Sequence, residues 1–389
     1  MDAFDQQAAR CLIAGIAGLT PTEAELELIR RGIGGVILFA RNVRDPAQVA
    51  ELSRTLKAAA PGPLLVSVDQ EGGRVQRLRP PHWTQIPPMR RIGIIDATGG
   101  VNGLSGPVVA DKLGRLVARE LLACGIDLNF APVVDVDTNP KNPVIGDRSF
   151  AREEARVARL GIAFAKGMEA VGVASCAKHY PGHGDTSQDS HKTLPRLSHD
   201  LSRLWECELV PFVAAARAQL ASVMTAHVLF EAFDQLPATL SPKALSLLRN
   251  EVGFQGACIS DDLEMAAIVE RFGVVDSAAL SITAGCDLIL VCHTLSLQHE
   301  AIDSIARAAR SGPLPRERLA EATRRAETLQ KFARPAAAID PAKAALACGT
   351  EESRAFVEGL VGESSAQEGA RKDPTERSPD ASSDERRNA

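Results

Sequence analysis

Short apolar runs alternate with amphipathic stretches along most of this 389-residue chain, and that alternation restricts the folds open to it. Residues 11–14, 35–39, 64–68, 126–130, 173–177, 222–225, 257–260 and 288–291 read as buried strands, too apolar to have a wet face. Between them lie stretches of helical period at 21–31, 46–59, 108–123, 152–171, 203–218, 242–252, 275–284 and 297–311. Thr20-Pro21, Asp45-Pro46 and Ser241-Pro242 each place a capping residue before a proline at the first helical position. Eight strands alternating with eight helices predict an α/β fold, a single (β/α)8 barrel. A doubly wound open sheet is the alternative, but no Gly-rich GxGxxG turn follows the first strand. A further helix over 315–332 is expected on the outside of the barrel.

The barrel domain is expected to span 1–335, followed by a C-terminal extension over 336–389. From Glu363 onward no side chain is larger in apolar surface than alanine, prolines apart, so the extension should be disordered from about that point. Net charge is −5 and no basic patch interleaves with aromatics, which argues against a nucleic-acid partner. No apolar stretch approaches a membrane span. The eight cysteines form no CxxC pair, and Cys11, Cys176, Cys258 and Cys286 sit in or beside strand-like runs. They read as buried free thiols in a reducing compartment, which with the acidic, polar first residues predicts a cytoplasmic protein.

Barrel strands point their C-terminal ends at one mouth. Those ends carry Asp69-Gln70-Glu71, Asp135 and Asp137, Lys178-His179, His227, and Asp261-Asp262. Such a set suits hydrolysis of a polar substrate such as a sugar. The fifth strand leads into Lys178-His-Tyr-Pro-Gly-His-Gly-Asp-Thr-Ser-Gln-Asp-Ser-His191, where Pro181 and two glycines exclude a helix. His179 and His183 therefore lack the helical spacing that aligns metal ligands, and Lys178 opposes a dication; the reading is metal-free and without a cofactor, a metal site remaining the lesser alternative. Asp189 and His191 are two apart, so in extended backbone they point the same way, and the carboxylate fixes and charges the imidazole. That makes His191 a general acid; the plainer alternative is a structural Asp–His pair. Asp261 reads as a nucleophile at a strand end, with helix capping as the competing role for either aspartate. Asp69 and Arg77 offer an acceptor and a donor to sugar hydroxyls, or a salt-bridged loop.

Five segments in order carry a resemblance. Val68-Asp-Gln-Glu-Gly-Gly-Arg-Val-Gln-Arg77, Asn142-Pro-Val-Ile-Gly-Asp-Arg148, the Lys178–His191 run, Met224-Thr-Ala-His227 and Ile259-Ser-Asp-Asp-Leu-Glu-Met265 resemble glycoside hydrolase family 3, over roughly residues 8–335. In detail they are similar to its bacterial β-N-acetylglucosaminidase branch, which acts in peptidoglycan recycling. The resemblance implies a retaining mechanism with Asp261 as nucleophile, His191 as acid/base and Asp189 as its dyad partner. Asp69, Arg77, Arg148, Lys178 and His179 match sugar-binding positions. The implied substrates are small GlcNAc glycosides, among them muropeptides with 1,6-anhydro-MurNAc, cleaved by a monomer. A phosphorylase on the same scaffold, a metal-dependent hydrolase and a silent sugar-binding protein are the alternatives. Tyr180 stands where phenylalanine is usual, and Lys192 follows the dyad.

Overall fold

A computed structural model describes residues 2–190 and 193–361. The strands are β1 (Leu12–Gly15), β2 (Gly35–Leu38), β3 (Leu65–Val68), β4 (Leu128–Asn129), β5 (Ala174–Tyr180), β6 (Ser222–Thr225), β7 (Ala257–Asp262) and β8 (Leu288–Val291). They close a barrel in sequence order, and every neighbouring pair is parallel. The expected barrel and all eight strand positions are present.

Pleating sorts the uniformly apolar strands into two cores. In β8, Leu288 and Leu290 face the lumen with Ile13, Leu65, Leu128, Cys176, Met224 and Ile259. Ile289 and Val291, one residue out of phase, pack outward against the helices. The helix at Arg316–Leu329 does not lie outside the barrel wall as the sequence suggested. It and the turn after it close the N-terminal end: Ala326 and Leu329 join the lumen cluster, Gln330 donates to Gly34 O and Pro63 O, and the Arg334 backbone N–H donates to Asp127 Oδ1. The active face is thereby left at the opposite end.

Local chemistry accounts for the remaining differences. Asp45 and Ser241 cap their helices as expected, accepting from Gln48 N and Ala244 N. The helix after β1 starts later than expected, at Glu23, where Thr22 and Glu25 form a capping box. The helix expected over 203–218 is broken by a π turn at Leu204–Glu208. Pro211 lacks the N–H that would continue the α ladder, and Leu209 N reaches back to Leu204 O. Sequence periodicity did not reveal Ala3–Arg10, Met89–Ala97, Pro341–Ala347 or Glu351–Val361, all of them helical. All eight cysteines are buried and free.

The last two of those helices pack against the barrel, with Ile339, Ala344, Cys348, Val357 and Leu360 buried. Burial of the three large residues contributes roughly 1.5–3 kcal/mol each. Ending the chain at Pro335 should therefore lower the melting temperature on the order of 10 °C. Ending it at Val361 should leave it nearly unchanged, because the sequence beyond carries no large apolar side chain. The expected disorder from about residue 363 lies outside the described residues. Among those residues no helix is long and apolar enough to cross a membrane.

Candidate active site

The site follows from strand parity. Leu65 and Ser67 alternate toward the lumen, and Asp69 is the next residue of that phase; Ala174 and Cys176 lead to Lys178, and Ala257 and Ile259 lead to Asp261. Three candidates from three strands thus converge at the C-terminal mouth. A register shift in β7, between Ile259 and Asp262, inserts one extra residue beside β8 and re-aims the paired aspartates. A second shift lies between Lys178 and Tyr180 in β5, where the Lys178–His179 peptide bond is cis.

Lys178, Asp69, Glu71, Arg148 and Arg77 form one charged network. Lys178 Nζ lies 2.7 Å from Asp69 Oδ1 and 2.7 Å from Glu71 Oε1. Arg148 grips Glu71 with two bonds, Nε at 2.8 Å and Nη2 at 2.9 Å. Arg77 Nη2 is 3.4 Å from Asp69 Oδ2. Burial alone would raise the Glu71 carboxyl, but Arg148 and Lys178 outweigh it and hold Glu71 far below the usual range. Burial would likewise lower Lys178, and Asp69 with Glu71 reverse it, so the ammonium stays charged. Only Asp69 in this network keeps a partly open side chain, 13 % exposed against 3 % for Lys178. Arg148 is buried like Arg77 and Lys178, with its Nε and Nη2 on Glu71. The bidentate grip positions Glu71, which in turn orients Lys178.

A second network builds on Asp135, whose side chain is fully buried. Its Oδ2 is 2.7 Å from His179 Nδ1, and its Oδ1 accepts from the backbone N–H groups of His179 and His183 at 3.2 and 2.7 Å. The contact at Nδ1 fixes the ring of His179 and turns its Nε2 away from Asp135. Gly184 is required next: a Cβ there would collide with the Val136 carbonyl. Burial, and then the neighbouring His179, push His183 down to about 4 from the ordinary 6.5. The folded state therefore binds this proton less readily than the unfolded chain. Stability from that source is lost as pH falls below 6.5, reaching roughly 3 kcal/mol near pH 4. His183→Gln should flatten the fall of melting temperature across that window; equal slopes for both proteins would show that His183 does not titrate this way.

The paired aspartates hold different partners. Asp262 Oδ1 accepts from Glu264 N at 3.1 Å, closing the turn after β7, and its Oδ2 is 3.3 Å from His293 Nε2. Asp261 Oδ1 accepts from Asp262 N at 2.8 Å, which aims the other oxygen. His227 is structural: its ring bridges Thr239 Oγ1 at 2.8 Å and the Asp262 carbonyl at 2.9 Å. Asp137 pairs with Arg90 at 2.5 Å. Tyr180 donates to Ala244 O at 2.8 Å, tying β5 to the helix Pro242–Asn250 at the one place where phenylalanine was expected. Asp189 is half-buried, and its carbonyl accepts from Thr193 N at 3.1 Å. His191 lies outside the described residues. Among the described residues, no group of three or more His, Cys, Asp or Glu side chains could hold a metal ion.

Sequence reasoning passed over three wall residues. Arg41 and Arg77 stand over the Phe39 ring at 4.5 and 5.7 Å, and His293 packs against the same ring. Phe39 and His293 follow strand ends, which was the available signal.

Comparison with known proteins finds relatives over most of the chain. Residues 14–329 match the glycosyl hydrolase family 3 N-terminal domain. A β-hexosaminidase from Neisseria meningitidis serogroup C is 43% identical over 291 residues, 74% of this chain and 80% of the relative. A family 3 β-N-acetylglucosaminidase from Paenibacillus superposes with a TM-score of 0.84 at 38% identity, covering 93% of this chain and 68% of that one. NagZ from Neisseria gonorrhoeae in complex with N-trifluoroacetyl-D-glucosamine gives 0.77 at 37% identity, covering 90% of this chain and 98% of the other.

Proposed function

The chain belongs to glycosyl hydrolase family 3, and from that membership we propose that it is a retaining exo-β-N-acetylglucosaminidase. That it is a glycoside hydrolase, a β-N-acetylhexosaminidase, follows from kinship with named β-hexosaminidases over most of both chains, which is the observation carrying the reading. Its substrates are terminal β-linked GlcNAc residues on peptidoglycan fragments, including GlcNAc-1,6-anhydro-MurNAc muropeptides, cleaved by a cytoplasmic monomer.

In this mechanism Asp261 attacks the anomeric carbon from below while His191 protonates the departing glycosidic oxygen. The C–O bond to the leaving group breaks as the C–O bond to Asp261 forms. Water, deprotonated by His191, then releases the sugar with the original configuration. Asp189 orients His191 and supports its positive charge. Asp69, with Lys178 behind it, accepts from sugar hydroxyls, and Arg77 and His179 bind sugar oxygens. Lys178 and Arg148 bind sugar oxygens with them, Arg148 being oriented by Glu71.

The test is hydrolysis of 4-nitrophenyl β-GlcNAc beside the β-glucoside, with and without phosphate. A site built around an acetamide leaves polar partners unpaired when a hydroxyl replaces it, at about 1–3 kcal/mol each. With an N–H and a carbonyl to match, kcat/KM should favour β-GlcNAc by at least about 30-fold. Comparable values would move the protein to another specificity, and product formation that depends on phosphate would make it a phosphorylase.

A further inference from the structure

From Ser187 to Ser190 only the last residue is buried. Ser187 and Gln188 are exposed and Asp189 is half-buried, whereas Ser190 is buried to 2 %. Its hydroxyl lies 3.0 Å from His183 Nε2. His183 is itself fixed on every side. Its backbone N–H donates to Asp135 Oδ1 at 2.7 Å, and its carbonyl accepts from Asn142 Nδ2 at 2.8 Å. Its Nδ1 is 2.8 Å from the hydroxyl of Thr186, and that hydroxyl also accepts from Asn142 at 3.2 Å. A neutral imidazole offers one donor and one acceptor, and two flanking hydroxyls complement either tautomer. Ser190 is thus attached through a rigid ring to Asp135, the carboxylate that also holds His179.

We infer that His183 and Ser190 are positioning residues, an anchor that holds the backbone carrying Asp189 for the proton transfer. The inference rests on the reading that assigns that transfer to Asp189 and His191. Neither anchoring residue touches a reacting atom. Proton transfer demands heavy atoms at hydrogen-bond reach, so a loop displaced by about 1 Å loses acid assistance while sugar binding at Asp69 and Lys178 persists. The shared carboxylate gives the anchor a fixed reference: His179 on the sugar side and Ser190 on the loop side are both measured from Asp135.

The test uses the full-length enzyme with two substrates, a 2,4-dinitrophenyl β-GlcNAc that needs little acid help and a β-linked GlcNAc disaccharide that needs much. Ser190→Ala should lower kcat on the disaccharide about tenfold or more, change the aryl glycoside by less than about threefold, and leave both KM values in place. His183→Leu should reproduce the pattern, and His183→Gln, whose amide reaches the same hydroxyl, should restore most of the lost rate. Asp189→Asn is measured in parallel. If Asp189→Asn discriminates between the substrates but Ser190→Ala does not, the anchor is wrong and the dyad stands. If Ser190→Ala slows both substrates equally, its role is structural only and the inference is overturned. If Asp189→Asn also fails to discriminate, the proton-transfer reading falls and the anchor with it.

Discussion

Asp261→Ala is expected to abolish turnover, with a loss of at least about 10⁴-fold in kcat on 4-nitrophenyl β-GlcNAc. The substitution removes the only group the mechanism offers for forming the glycosyl-enzyme. Folding should survive, since the Asp261 side chain is only half-buried and one of its oxygens accepts from the adjacent Asp262 N–H. A small external anion can enter the space left behind, so azide with Asp261→Gly should yield an inverted glycosyl azide. A 2-fluoro sugar should leave a trapped adduct on the wild-type Asp261. Asp262→Ala provides the contrast. It opens the turn at Glu264 and the contact with His293, and should cost stability more than chemistry. Wild-type rates in Asp261→Ala, or the full defect in Asp262→Ala alone, would reassign the nucleophile.

His191→Ala should produce the second largest effect, and its size should depend on the leaving group. General acid assistance is worth on the order of 10²–10⁴-fold, and a sugar alkoxide needs nearly all of it. A dinitrophenolate is stable enough to depart unprotonated, so the same variant should change that rate little in the first step. Hydrolysis of the glycosyl-enzyme then lacks its base, and the covalent species should accumulate as a burst. Asp189→Asn should give a milder form of the same pattern, because the imidazole keeps its place but loses the carboxylate that orients and charges it. The measurement is kcat/KM across aryl glycosides of graded leaving-group pKa. A slope against leaving-group pKa that matches wild type would remove His191 from the acid role.

The sequence by itself determined the barrel and the residues from which the mouth is built. Eight apolar runs alternating with eight helices pointed to a parallel sheet covered by helices, and the missing Gly-rich turn favoured the barrel over the open doubly wound sheet. The C-terminal ends of those strands pointed to Asp69, Lys178 and Asp261, and the closed barrel puts each in phase with lumen-facing residues of its own strand. Which apolar residues fill the lumen and which meet the helices was not legible, since Leu288 and Ile289 are chemically alike and only the closed sheet separates them. Nor could sequence predict that Arg316–Leu329 closes the N-terminal end: its buried Ala326 and Leu329 read as any amphipathic stripe until strands distant in sequence form the surface it covers. Partner choice was likewise a tertiary matter. Arg148 and Glu71 are 77 residues apart, Asp135 and His183 48 apart, and no local rule pairs them. Placed in the low dielectric of a closed barrel mouth, those groups have no water to turn to, so each charge and each ring nitrogen takes whichever partner the strands bring within reach.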